Sequence, residues 1–187
     1  MDLFIYQEII YKNKPDIIIE IGTYKGGSAK YLRHLLRAIR GINTAVITID
    51  PNNNNKIIDD NILYLKGKAS DADIIQDVNF AINNKNLIYH FNEFAEPKIM
   101  VIDDGSHTYD DTLINLNIYS QLVTLGQYYI VEDTICHHGL DTGPKPGPAE
   151  AIDEFLKYCR RFLIDRTCER FGLTYNSGGF LKCIKAA

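Results

Sequence analysis

The chain has 187 residues, which is enough for one domain with a proper core over residues 1–187 and too few for two. Its hydrophobic content of 45% and charged content of 24% are ordinary for a soluble globular protein. The net charge of −4 excludes the basic surface that nucleic-acid binding requires. The four cysteines lack CxxC spacing, and neither a signal-like segment nor a membrane-length apolar run stands out, so we expect a cytoplasmic protein with reduced thiols.

Strand-like and helix-like segments alternate along the chain, which predicts a parallel sheet covered by helices on both faces. The predicted strands cover residues 16–21, 44–49, 62–65, 98–103 and 128–132, and the predicted helices cover 2–13, 26–41, 71–83, 110–122 and 149–162. Residues 52–55 predict a polar loop, whereas 86–97 favour no particular element. The tail segments 173–175 and 179–184 predict a closing hairpin.

Two of the predicted strands end in side chains that bind metals or move protons. One is followed by Asp104 and His107, and the other by Glu132 and Asp133. Neighbouring parallel strands deliver such groups into one cleft, where gathered carboxylates repel one another unless a cation is bound. The carboxylates Asp104, Glu132 and Asp133 suit Mg²⁺ better than Zn²⁺. His107 is then the natural general base, because its ordinary pKa lies near neutral pH.

Plainer interpretations stay open for the same residues. His107 also fits a helix-capping or supporting histidine, and Glu132 with Asp133 also fits an acid pair at a helix N terminus. His137 and His138, in the following loop, are rival candidates for the base. The loop 143–148 is rich in glycine and proline, and it can form either a rigid border of a substrate site or a simple connector.

A second motif, Glu20-Ile-Gly-Thr-Tyr-Lys-Gly-Gly-Ser28, lies at a predicted strand-to-helix turn. Glycines allow a tight turn and a close ligand approach, and the start of the helix offers free N–H groups. A dinucleotide fingerprint needs a middle glycine that this turn lacks, and an acid at the strand end is a poor neighbour for phosphate. Glu20 therefore favours a neutral or cationic adenosyl ligand, and Asp50 after the next strand can bind the ribose hydroxyls.

Taken together, these residues resemble class I S-adenosylmethionine-dependent O-methyltransferases. The resemblance is to the cephalosporin hydroxylase and rhamnosyl O-methyltransferase family and to the related macrocin-type sugar O-methyltransferases. It extends from about Ile17 to Ile184 and is most specific in the later half. The segments that carry it are the ExGxxxGxS turn, Asp50, Asp104-Gly-Ser-His-Thr-Tyr109, residues 122–133 and residues 147–156.

The resemblance implies a Rossmann-like, doubly wound α/β sheet of seven strands, mostly parallel, with the last strand antiparallel. It also implies S-adenosylmethionine bound after the first strand and Mg²⁺ held by acids after the fourth and fifth. On the matched motifs, Asp104, Glu132 and Asp133 hold the metal and His107 is the catalytic base. The implied cofactor contacts are Glu20, Gly22, Thr23, Ser28, Asp50, Ser70 and Asp103.

We therefore expect a Mg²⁺-assisted O-methyltransferase that acts on a hydroxyl of a small molecule, either a sugar or a natural product, without nucleic-acid or membrane partners. Little sequence precedes the first strand, so either the substrate site is open or a second copy in a homodimer completes it. Two alternatives stay open, namely a cofactor-binding protein of the same fold without turnover and a nicotinamide-dependent oxidoreductase.

Overall fold

A computed structural model describes residues 2–52, 61–84 and 96–186. Most of the predicted loop at 52–55 and most of the segment 86–97 lie outside the described residues. The helices are α1 (Asp2–Asn13), α2 (Gly27–Arg40), α3 (Ala72–Asn83), α4 (Tyr109–Tyr119) and α5 (Pro148–Tyr158). The strands are β1 (Ile17–Ile21), β2 (Ala45–Ile49), β3 (Ile62–Leu65), β4 (Ile99–Asp103), β5 (Tyr128–Val131), β6 (Phe162–Ile164) and β7 (Phe180–Cys183).

The seven strands form one sheet in the order β3-β2-β1-β4-β5-β7-β6. Strands β1 to β5 are parallel, and β7 runs antiparallel to both of its neighbours. The predicted seven-stranded fold with an antiparallel last strand is therefore confirmed. The strand order reverses between β1 and β4, where Ile21 is opposite Asp103. Open α/β sheets bind their ligands outside the carboxyl ends of the strands at such a point.

Helices cover both faces of the sheet, so its central strands are buried on both sides. Strands β1, β2, β4 and β5 are buried at every position, which explains their unbroken apolar sequences. Helices α1 and α2 pack on one face, and α3, α4 and α5 pack on the other. Each fully buried Ile or Val side chain contributes about 1.5–3 kcal/mol to folding. No helix within the described ranges is both long and apolar enough to cross a membrane.

The tail differs from the prediction at two points. The helix predicted over 149–162 ends at Tyr158, and Phe162 begins strand β6. The hairpin partner of β7 is β6, whereas the predicted arm 173–175 forms no strand. Phe162 is only 2% exposed and packs in the core beside Phe155, with ring centroids 6.0 Å apart. Burial in the sheet outweighed the helical spacing, which continued past Tyr158.

Candidate active site

The carboxyl ends of β1, β4 and β5 bring the predicted acids together at the switch point. Asp104 follows β4 directly, and its backbone N–H donates to the carbonyl of Ile21 at 2.8 Å. The N–H of Glu132 donates to the carbonyl of Asp103 at 2.9 Å, so the residues after β5 continue beside those after β4. Backbone pairing between the two strand ends therefore sets which acids meet.

Gly22 allows the backbone of β4 to reach this position. A Cβ atom on Gly22 would lie 1.9 Å from the carbonyl oxygen of Asp104, and the φ angle of Gly22 is +97°. Both the contact and the backbone angle strongly disfavour any other residue there. The sequence motif predicted a close approach of a ligand to this turn. At Gly22, the close approach is by the protein's own backbone at Asp104.

Asp104, His107 and Asp133 form one group of potential metal ligands, which we call the acid group. One donor atom from each lies within 4.8 Å of the others. His107 Nε2 is 3.4 Å from Asp133 Oδ2 and 3.7 Å from Asp104 Oδ1. His107 and Asp133 both have left-handed backbone angles, with φ of +57° and +55°. Non-glycine residues adopt this conformation at a cost, and it is found disproportionately at functional sites.

The carboxylates at this site repel one another. Burial, followed by the negative charges of Glu132 and Asp133, raises the pKa of Asp104 to about 8. The pKa of Glu132 is raised to about 7, mainly by burial. Burial also lowers the pKa of His107, an effect that Asp133 opposes. The carboxylate-rich donor set is of the kind that binds Mg²⁺, whose charge would relieve this repulsion.

Glu132 lies outside the three-residue group and has a partner of its own. Its Oε1 accepts a hydrogen bond of 2.5 Å from the hydroxyl of Tyr6, on α1. Asn176, in the loop before β7, donates to the same hydroxyl at 2.8 Å. Sequence reasoning missed Tyr6 and Asn176. Tyr6 lies within the predicted helix 2–13, and Asn176 lies between the two predicted tail segments 173–175 and 179–184, so neither was singled out.

A cavity of about 710 Å³ opens beside the acid group, at the turn between β1 and α2. Its walls include five of the predicted cofactor contacts, and Asp104 and His107 also border it. This volume falls within the range of small-molecule and cofactor sites. The five predicted contacts that line the cavity are Gly22, Thr23, Ser28, Asp50 and Ser70.

Asp50 lies where an acceptor for ribose hydroxyls was predicted. Its Oδ2 accepts from the backbone N–H of Tyr24 at 2.9 Å, and its Oδ1 accepts from that of Asn52 at 2.7 Å. A carboxylate has about four lone-pair positions, so each oxygen can accept a further hydrogen bond. The two backbone contacts orient the carboxylate toward the cavity it lines.

Glu20 and Asp103 differ from the other predicted cofactor contacts, because neither lines the cavity. Glu20 is 1% exposed and accepts from the hydroxyl of Thr48 at 2.5 Å. Asp103 is 4% exposed and accepts from Asn115 at 3.2 Å and from Tyr129 at 3.3 Å. Burial raises the pKa of both, in the case of Asp103 to about 7. Both lie beneath the cavity wall, and Asp103 is hydrogen-bonded to Asn115, which lines the cavity. Direct contact of Glu20 or Asp103 with a cofactor stays a prediction.

The rival histidines have other partners. His137 Nε2 is 2.9 Å from the carbonyl oxygen of Gly143, and His138 Nε2 is 2.9 Å from a carboxylate oxygen of Glu150. Neither belongs to the acid group or lines the cavity. The geometry therefore favours His107 over both as the candidate base.

Comparison with known proteins decides the family. Residues 1–184 match the family model described as Rhamnosyl O-methyltransferase/CmcI. The chain belongs to the Rhamnosyl O-methyltransferase/CmcI family. The rhamnosyl O-methyltransferase of Mycobacterium tuberculosis H37Rv is 30% identical, over 96% of this chain and 72% of that protein. The Mycobacterium leprae protein of the same name is 28% identical, over 96% of this chain and 76% of its own length.

Solved structures agree with the Rhamnosyl O-methyltransferase/CmcI assignment at the level of the fold. A CmcI structure described as holding Mg and SAM has a TM-score of 0.69 and 24% identity, covering 97% of this chain and 70% of that one. A second structure is MycE, a methyltransferase from the mycinamycin biosynthetic pathway, in complex with Mg, SAH and mycinamycin VI. It has a TM-score of 0.55 and 17% identity, and the match covers 81% of this chain and 38% of MycE. The predicted family and enzyme class are confirmed, which decides against the oxidoreductase alternative.

Proposed function

We propose that this protein transfers the methyl group of S-adenosylmethionine to a hydroxyl of a small molecule, with Mg²⁺ as a cofactor. The observation that carries the proposal is that Asp104 and His107 belong to the acid group and also border the 710 Å³ cavity. A cofactor in that cavity and an acceptor beside the acids would meet at these two side chains. The relatives are named for rhamnosyl groups and CmcI, so a rhamnose-containing glycoside is the first acceptor class to test.

Within the cavity, the chain's own residues would bind and orient the adenosyl group. Asp50 offers its carboxylate to the ribose hydroxyls, and the turn from Gly22 to Ser28 lies along the cavity wall. The acidic surroundings favour a cationic sulfonium, since opposite charges attract strongly where water is excluded. This orientation would align the methyl group for attack, and alignment of this kind supplies a large share of the rate in two-substrate reactions.

His107 would accept the proton of the acceptor hydroxyl as its oxygen forms a bond to the methyl carbon and the carbon–sulfur bond breaks. Burial lowers the pKa of the imidazole, which favours the neutral form that can accept a proton, and Asp133, 3.4 Å from Nε2, would stabilise the protonated ring. Asp104, Asp133 and Glu132 would hold Mg²⁺. When bound, that ion supplies Lewis-acid charge that favours loss of the hydroxyl proton.

The test is calorimetric titration of the purified protein with S-adenosylhomocysteine, with and without Mg²⁺, followed by incubation of S-adenosylmethionine with a panel of glycosides. We expect binding in the micromolar range and the mass gain of one methylene in at least one rhamnoside, detected by mass spectrometry. Absence of binding under both conditions would overturn the proposal. Binding without methylation of any acceptor would favour a cofactor-binding protein.

A further inference from the structure

The Glu132–Asp133 acid pair is contacted from behind by two buried residues that the proposed reaction does not use. The Tyr6 hydroxyl donates to Glu132 Oε1 at 2.5 Å, and Asn176 Nδ2 donates to the Tyr6 oxygen at 2.8 Å. The backbone N–H of Asp133 donates to Asn176 Oδ1 at 3.1 Å. Tyr6 therefore contacts the carboxylate of Glu132, and Asn176 contacts the backbone of Asp133. The hydrogen bond between Tyr6 and Asn176 joins the two contacts.

These contacts are strongly constrained by packing. Tyr6 is 3% exposed and Asn176 is 0% exposed, and buried polar groups are costly unless they are hydrogen-bonded. The Tyr6 ring packs edge-on against Phe180, with ring centroids 6.5 Å apart. The packed ring fixes the position of the phenol oxygen, and because that oxygen accepts from Asn176, its own O–H donates to Glu132.

The backbone contact has a separate effect. Asp133 has a left-handed backbone, with φ of +55°, and the amide group of Asn176 accepts from its N–H. A residue in this conformation keeps it only when its surroundings hold it there. Thr134, the next residue, donates from its hydroxyl to the carbonyl of Ser177 at 2.8 Å. The loop before β7 therefore holds the turn that follows Glu132.

We infer that Tyr6 and Asn176 are positioning residues that orient Glu132 and Asp133 for Mg²⁺, which makes helix α1 part of the active site. The inference rests on the proposed function. Tyr6 engages Oε1 of Glu132 and fixes the carboxylate, whose other oxygen is then oriented for a cation. Groups that hydrogen-bond metal ligands in this way orient them, and their removal weakens metal binding by about 10–100-fold.

The test is Tyr6→Phe, which removes one hydroxyl and keeps the ring that packs on Phe180. Mg²⁺ is titrated calorimetrically into the protein saturated with S-adenosylhomocysteine. We expect Mg²⁺ affinity about 10–100-fold below wild type, with S-adenosylhomocysteine affinity in EDTA unchanged. The matched control is Tyr11→Phe on the same helix, where the side chain is 65% exposed and the Mg²⁺ affinity should stay at the wild-type value.

Wild-type Mg²⁺ affinity in Tyr6→Phe would overturn the inference and leave the proposed function intact. An equal loss of Mg²⁺ and S-adenosylhomocysteine affinity would also overturn it, because that result indicates a general structural role. A wild-type protein that does not bind Mg²⁺ would overturn both the inference and the metal assignment. Asn176→Ala should weaken Mg²⁺ binding in the same direction; if that variant fails to fold, Tyr6→Phe still decides.

Discussion

Gly22 governs how close the ends of β1 and β4 come, and hence where Asp104 lies. With the carbonyl oxygen of Asp104 only 1.9 Å from the position of a Cβ atom, an alanine can fit only if one of the two chains moves. The positive φ angle adds a second cost. A single missing side chain therefore sets the spacing between the cofactor turn and the proposed metal site.

We predict that Gly22→Ala lowers the free energy of unfolding by at least about 1–3 kcal/mol, the range of backbone strain alone. Denaturant unfolding measures the change. Gly27→Ala is the matched control, since Gly27 begins α2 in the same turn and a Cβ there would meet no atom within 4 Å. Equal stability of Gly22→Ala and wild type would mean that the two strand ends can separate without cost.

His107 is the residue whose substitution should separate chemistry from binding. We predict that His107→Ala lowers kcat by about 10²–10⁴-fold, the usual contribution of a general base, while S-adenosylhomocysteine affinity stays near wild type. His138→Ala should retain activity, because His138 pairs with Glu150 outside the acid group. Loss of cofactor affinity in His107→Ala would instead mean that the histidine supports the cavity.

Several site residues could be anticipated because their types carry the chemistry. Asp104, His107 and Asp133 follow apolar strands in the sequence, and parallel strands bring such ends together. Tyr6 lies 126 residues from Glu132, so no local pattern could reveal their contact. The burial of Glu20 and Asp103 behind the cavity wall depends on which face of each strand turns inward, and an apolar run does not specify this.

At the scale of elements, Arg161 anchors the segment between α5 and β6. Its guanidinium donates to the carbonyls of Ser120 at 2.9 Å and Val123 at 3.0 Å, across the turn that follows α4. These bonds hold the segment between α5 and β6 against the sheet. The chain has left the helix after Tyr158, and the bonds of Arg161 fix its path from there to β6.

We predict that Arg161→Ala lowers the free energy of unfolding by about 1–3 kcal/mol, because hydrogen bonds from a charged donor to buried carbonyls are lost. The adjacent Arg160→Ala serves as the control, since Arg160 is exposed and surface substitutions change stability by about 0.5 kcal/mol or less. Thermal or denaturant unfolding of the two variants distinguishes them. Equal effects would show that the segment is held by apolar packing alone.

At the scale of the whole molecule, negative charge is concentrated where three parallel strands end. Glu20 lies in β1 and Asp103 ends β4. Asp104 directly follows β4, and Glu132 directly follows β5. The charge of Glu20 also raises the pKa of both Asp104 and Glu132. The fold accepts this repulsion in one region, which is a common cost of a functional site.

We predict that Asp104→Asn raises the melting temperature in EDTA and removes the further increase that Mg²⁺ gives the wild type. The amide that replaces the Asp104 carboxylate removes its repulsion with Glu132 and Asp133, which stabilises the protein without metal. It also removes a negative charge that would bind Mg²⁺, so the effect of the ion is lost. Each kcal/mol corresponds to about 2–4 °C for a chain of this size, so scanning calorimetry can resolve the change. Asp153→Asn, at an exposed position of α5, should alter neither quantity. An Mg²⁺-dependent increase that persists in Asp104→Asn would remove Asp104 from the metal site.

The succession of central strands and helices along the chain and the family were determined by the sequence, and the reversal of the last strand followed from the family resemblance. Buried parallel strands are continuous apolar runs, and their motifs lie at strand ends, so local patterns carry this information. Tertiary structure alone decided the β6–β7 pairing, the burial of Glu20 and Asp103, and the contact of Tyr6 and Asn176 with the acid pair. These features join segments far apart in the chain, and their energy comes from packing and buried hydrogen bonds that form only when those segments meet.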